Sequence, residues 1–132
     1  MKGTLMESPG DYQTTESDFD VFCRECTAWA DKLNLRNWYI DYQHNDDDPD
    51  CRAFCQTSPQ NRMARITLTQ SWDIAPHPNA IKQTAFHEIV EILLAMMMTF
   101  AMTPATHSDD IVASERHSII RTLESAFFEP LT

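Results

Sequence analysis

Apolar residues recur along this chain in two periods, one of three to four residues and one of two, and the switches between them lay out its elements. Phe19, Phe22, Cys23, Cys26, Trp29 and Leu33 keep helical spacing, which predicts a first helix over 18–33 with Ser17 or Asp18 as its N-cap. After a turn over 34–37, Trp38, Ile40 and Tyr42 alternate with more polar neighbours and predict a half-buried strand over 38–44. A second strand is expected over 51–57. A third is expected over 63–69, where Ala64, Ile66 and Leu68 alternate. Three short strands in succession suggest an antiparallel meander.

Pro76 and Pro78 punctuate the loop that follows, and a second helix is predicted over 80–101, capped at Asn79 and stopped by Pro104. A third helix opens at Ser108 or Asp109 and runs to about residue 128, with Pro130 as its stop. The order predicts an α+β fold: an N-terminal helix, a small three-stranded antiparallel sheet and two packed helices. Residues 1–17 contain both glycines, a proline and several Ser and Thr with little apolar periodicity. They are expected to form a loose N-terminal arm ahead of a single domain over 18–132. A chain of 132 residues suffices for one real core and is short for two.

Charge narrows the partners. Twenty acidic against ten basic residues give a formal charge of -10, which disfavours nucleic acid because phosphate contacts need Lys and Arg. Such a balance serves solubility, and it also suits a basic protein partner or a DNA-mimicking inhibitor. The first twenty residues are mostly polar and acidic, unlike a secretory leader, so a cytoplasmic location is expected. The longest apolar run, 89–102, is too short to cross a bilayer and carries Glu91, so no membrane is expected either.

The cysteines read C-x2-C at Cys23 and Cys26 and C-x3-C at Cys51 and Cys55. Four thiolates can hold a zinc ion. Cys23 and Cys26 fall on an apolar helical face, however, and no zinc-knuckle glycines accompany either pair, which favours core packing. The run Asn45-Asp46-Asp47-Asp48-Pro49-Asp50 has oxygen ligands for calcium but no Gly-containing twelve-residue pattern, so it reads as a solvated turn.

The chemistry concentrates in His87-Glu88-Ile89-Val90-Glu91. Over 89–102 the only charged side chain is Glu91, and a run this apolar predicts a helix buried on nearly all sides, with a carboxylate in need of a cation. His87 and Glu91, four apart, stack on one helical face as a two-ligand clamp. Glu88 is rotated by one residue to stand beside the clamp, where a carboxylate takes a proton from a metal-bound water. That is the division of labour in H-E-x-x-H zinc hydrolases.

In this motif and in its element order over about 18–128, the chain resembles the zincin-like metallopeptidase fold, especially its short bacteriophage-encoded members. The resemblance implies Zn2+ as cofactor, a peptide or protein substrate and hydrolysis by metal-activated water. It also implies that strand 63–69 is the cleft edge that pairs with extended substrate. Zincins usually have histidine where this chain has Glu91. A carboxylate still ligates zinc, but it makes the bound water less acidic. In the short phage proteins the His-Glu-x-x-Glu helix is followed by a helix with a histidine before Ile-Ile or Val-Ile. Here that segment contains Glu115-Arg116-His117-Ser118-Ile119-Ile120. His117 is thereby implied as third ligand, with Glu115 as the alternative and a fourth position left for water.

Val112, Ile119, Ile120, Leu123 and Phe127 centre the expected buried stripe of this helix near Arg116, with His117 and Glu115 on opposite flanks. Arg116 then offers another outcome: it pairs with Glu91 and satisfies that carboxylate without metal. The rival reading built on it is a non-enzymatic acidic interaction protein, an inhibitor of a host protein on a degenerate zincin scaffold. Other candidates weigh less. His44, His77 and His107 lie in or beside predicted loops and are expected to be exposed. Met96, Met97, Met98 and Met102 read as core filler. There is no Gly-rich phosphate loop and no G-x-S-x-G elbow.

Overall fold

The structure, a computed structural model, describes residues 12–102 and 109–128. Part of the segment that the sequence pattern left without regular structure is structured. Strand β1 (Tyr12–Gln13) pairs antiparallel with a second short strand at Ser71–Trp72. The next residue, Thr14, donates its hydroxyl to the Thr69 carbonyl at 2.9 Å. Helix α1 (Glu16–Lys32) is capped by Thr15 rather than by Ser17 or Asp18. The Asp18 N–H donates to Thr15 Oγ1 at 3.1 Å, and the Thr15 N–H donates to Asp18 Oδ2 at 2.9 Å. This reciprocal box satisfies two amides at the helix start, and it uses the part of residues 1–17 that was expected to be loose.

The fold is α+β: α1, a three-stranded sheet and two further helices. The strands are β2 (Tyr39–Asn45), β3 (Ala53–Ser58) and β4 (Met63–Thr69), and the short strand at Ser71–Trp72 is β5. Their order in the sheet is β2-β4-β3, with β2 parallel to β4 and β3 antiparallel to it, so the expected antiparallel meander is corrected. Burial explains the order. Strand β4 buries Ala64, Ile66 and Leu68 on one face and Thr67 and Thr69 on the other, as a central strand requires, whereas β2 and β3 carry exposed or half-buried polar residues suited to an edge. Alternation sets each strand's inward face but leaves the neighbour open.

Two local devices route the chain. Asp46, in the acidic turn after β2, accepts from the Ser71 N–H at 2.8 Å and from Ser71 Oγ at 2.9 Å, pinning that turn beside β5. Between β3 and β4 a 3-10 turn at Pro59–Asn61 ends on Arg62 in the left-handed region, φ 54°. Across the parallel pair, Asp41 and Arg65 are register partners and form an ion pair at 2.9 Å on the outer face.

Helices cover the inner face. Phe22, Cys26 and Ala30 of α1, with Leu33 just beyond its end, meet Ile66, Leu68, Trp38 and Trp72 in the core. Helix α2 (Pro78–Met102) adds Ile81, Ala85, Ile89 and Ile92, a stripe at three- and four-residue spacing. Small residues let α1 and α2 approach closely: the Cys26 thiol donates to the Ala85 carbonyl at 3.9 Å. Helix α3 (Asp109–Phe127) buries Ile119 and Ala126, while Ile120, Phe127 and Arg116 are exposed. Its inward stripe is therefore turned one position from the expected centre at Arg116.

Candidate functional site

A concavity of about 600 Å³ runs along the first turns of α2. One wall is the face of α2 that carries Asn79, Gln83, Thr84, His87 and Glu88. These positions recur at three- and four-residue spacing and so share one side of the helix. Facing them are Asp50, Arg52 and Ala53 at the start of β3, and Asp73, Ile74 and His77 close one end. The strand bordering the cleft is thus β3. The expected edge, Met63–Thr69, is the central strand of the sheet.

Along α2 the motif divides differently from the sequence expectation. His87 Nε2 and Glu91 Oε1 stand 3.6 Å apart on one face of α2, but their side chains are 69% and 58% exposed. The apolar run around Glu91 had suggested a buried carboxylate. The helix points Ile89 and Ile92 into the core instead and leaves Glu91 on its open flank. The buried carboxyl is Glu88, at 6% exposure. Burial pushes it up to about 7; neighbouring His87 opposes the rise and Glu91 adds to it.

Glu88 has sulfur neighbours. Burial, with Glu88 and Glu91 adding to it, pushes the Cys55 thiol up to about 12. The buried Cys26 thiol is raised further, mainly by burial and also by Cys23 and Glu88. Both cysteines are held as protonated, inert packing groups at neutral pH. Cys51 is exposed, and its thiol donates to Asp48 Oδ2 at 3.5 Å. The acidic turn is likewise occupied with its own backbone, Asn45 Oδ1 accepting from the Asp47 N–H at 3.0 Å.

The structure brings His87, Glu88 and Glu91 together and leaves the residues of α3 apart from them. Glu115 lines a separate pocket of about 210 Å³, together with Leu33, Trp38, Leu93 and Met96. His117 and Arg116 are exposed, and among the described residues Glu91 pairs with His87. Among the described residues, no group of three or more His, Cys, Asp or Glu is placed to hold a metal ion. His107 lies outside the described residues. Met96 and Met97 are half-buried and Met98 is exposed, so the methionine run is only in part core.

The pattern along the chain did not single out the far end of the cleft. The Arg52 guanidinium forks onto Asp73, at 2.8 Å and 3.0 Å. His77, expected as an exposed loop residue, is exposed but not idle: its Nδ1 accepts the Ala80 N–H at 3.3 Å. Helix α2 therefore starts at Pro78 under a His77 cap, two residues before the predicted start at Ala80. A histidine set between Pro76 and Pro78 at the head of the motif helix was the available signal.

No protein-family model, curated protein or solved structure matches this chain. Among the described residues, no helix is long and apolar enough to cross a membrane.

Proposed function

We propose that this chain is a zinc-dependent metallopeptidase in which His87 and Glu91 hold the ion and Glu88 manages the proton of the attacking water. One observation carries the reading: a buried carboxyl sits in the wall of a cleft of about 600 Å³, one residue from an exposed His–Glu pair. The donors fit the ion. Imidazole and carboxylate are both zinc ligands, and two ligand atoms on a tetrahedral zinc stand roughly 3.3 Å apart, close to the 3.6 Å found. His117 remains the proposed third ligand, with Glu115 as the alternative.

Zinc, when bound, supplies Lewis-acid polarisation and an acidified water. The chain's own residues do the rest. Glu88, with its affinity for a proton raised by burial, takes the proton as water attacks a peptide carbonyl and returns it to the departing amine. The apolar seat of Ile89 and Ile92 fixes α2, so the three side chains keep their relative positions. The cleft beside β3 is open enough for an extended polypeptide.

Metal analysis of the purified protein tests this. One zinc per chain is expected, with a melting temperature that falls on chelation and a Glu91→Ala variant that binds at least tenfold more weakly. Protein without a stoichiometric divalent ion after zinc loading, melting identically with and without chelator, sinks the reading. That result would favour the acidic interaction protein instead, for which the supporting observation is Phe127 and Phe128, 51% and 75% exposed on a chain of charge -10.

A further inference from the structure

His77 is an unusual choice of cap. Ser, Thr, Asp and Asn close helix N-termini at least as well, with shorter side chains. What histidine adds is a second ring nitrogen. Because Nδ1 accepts the Ala80 N–H at 3.3 Å, it must keep its lone pair, so the neutral ring carries its proton on Nε2. The residue is held at three further points. Its N–H donates to the Ala75 carbonyl at 2.9 Å, its carbonyl accepts from the Ile81 N–H at 3.1 Å, and prolines flank it on both sides. The result is an N–H donor of fixed position in the lining of the cleft.

Asn79 and Gln83 supply further amide donors along the α2 wall. Arg52 spends its fork on Asp73, and Asp50 is an acceptor only. Geometry then sets what the donor meets. His77 precedes His87 by ten positions. At about 1.5 Å per residue this places it roughly 15 Å up the axis of α2. That is too far to touch a carbonyl being attacked beside Glu88. At about 3.3 Å per residue, an extended chain covers the distance in four to five residues.

We propose that His77 is a substrate-binding residue: its Nε2–H donates to a main-chain carbonyl of an extended polypeptide lying along α2, four to five residues from the bond that is cut. This rests on the peptidase reading above. It adds a substrate class, unfolded polypeptide rather than di- or tripeptide, because only a longer chain spans both ends of the cleft. A main-chain contact is indifferent to side chains, so the requirement is for length more than for sequence.

The test uses zinc-loaded full-length protein and a quenched-fluorescent library of random decapeptides. Cleavage sites are mapped by mass spectrometry, and the best substrate is then shortened stepwise from each end. The variant is His77→Ser, which keeps a side-chain oxygen to cap the helix and removes the ring donor. For the decapeptide, His77→Ser should raise KM about five- to tenfold, the size of one neutral hydrogen bond, with kcat nearly unchanged. For substrates too short to reach His77, variant and wild type should be equal. The 15N shifts of the wild-type ring should show the proton on Nε2.

Equal kinetics on all lengths, an equal loss on all lengths, or the proton on Nδ1 would each overturn this inference while leaving the peptidase reading in place. Wild-type protein that cleaves no member of the library would overturn the peptidase reading and this inference with it.

Discussion

Two carboxylates line the same cleft and are pushed in opposite directions. Glu88, 6% exposed, is raised to about 7 by burial. Asp73 lies at the far end, its side chain 47% exposed, and is lowered by the Arg52 guanidinium that forks onto it. Residue type does not distinguish them; surroundings do. Dry apolar contacts favour the neutral acid, and a hydrogen-bonded cation favours the anion. Environments that split two acids in this way are how one site obtains a proton carrier and a fixed charge at one pH. On the peptidase reading the carrier in this cleft is Glu88, while Asp73 is a fixed charge paired with Arg52.

The largest effect should come from removing the carrier. Glu88→Gln keeps shape and burial but cannot accept a proton. On the peptidase reading it should retain zinc and lose about 10²- to 10⁴-fold in kcat. Steady-state hydrolysis of the best library peptide, with zinc content measured on the same samples, checks this. Equal activity in the two proteins would remove Glu88 from the chemistry and reduce the contrast with Asp73 to a matter of packing.

Next in size is the seat that dries Glu88. Ile89 is fully buried beside it, and Ile89→Ala should destabilise the protein by about 2–5 kcal/mol through lost burial and the cavity left behind. His87→Ala, on the exposed flank two residues earlier, should change chelated protein by no more than about 0.5 kcal/mol. Urea unfolding in chelator measures both. Similar losses for the two variants would mean that the exposed flank is packed after all.

The pH dependence of chelated protein sharpens the same point. Glu88 has a folded value of about 7 against an ordinary 4.5, so between these values the native state binds the extra proton. Stability should fall as pH rises through that window, by at most about 3 kcal/mol. Glu88→Gln should remove this slope and be more stable than wild type above pH 7. A wild-type profile without that decline, or one unchanged in the variant, would show that the carboxyl is hydrated in the folded protein.

Much of the fold was legible because burial imposes a period. The helical spacing of Phe22, Cys26 and Leu33, and the alternation of Ala64, Ile66 and Leu68, each located an element and its inward face. Strand order was not legible, because parallel and antiparallel neighbours of β4 demand the same alternation. Nor was the early start: β1 has only two residues, Tyr12–Gln13, too few for a period, and Thr15 is told from Ser17 as a cap only by which side chain the Asp18 amide meets. At the site, the four-residue step placed His87 and Glu91 on one face. Which neighbour is buried depended on what α2 packs against, and the apolar run assigned to Glu91 the burial that Glu88 receives. The far end of the cleft depended on tertiary contacts altogether, since Arg52 and Asp73 are 21 residues apart.

The smallest expected effect belongs to that far pair. The Arg52 and Asp73 side chains are 45% and 47% exposed, so water and salt screen them, and Asp73→Asn should cost less than about 1 kcal/mol in low salt. The sign is opposite to that of Glu88. A lowered folded value means that the contribution is present above the unfolded aspartate range and is lost as pH falls through the folded value. The stability advantage of wild type over Asp73→Asn should therefore grow as pH rises out of the acid range and shrink in high salt, whereas wild type should lose stability relative to Glu88→Gln as pH rises toward 7. Urea midpoints for both variants at pH 3, 5 and 8 place the two curves side by side. If they run in the same direction, the two carboxylates share one environment, and the division between proton carrier and fixed charge in this cleft is wrong.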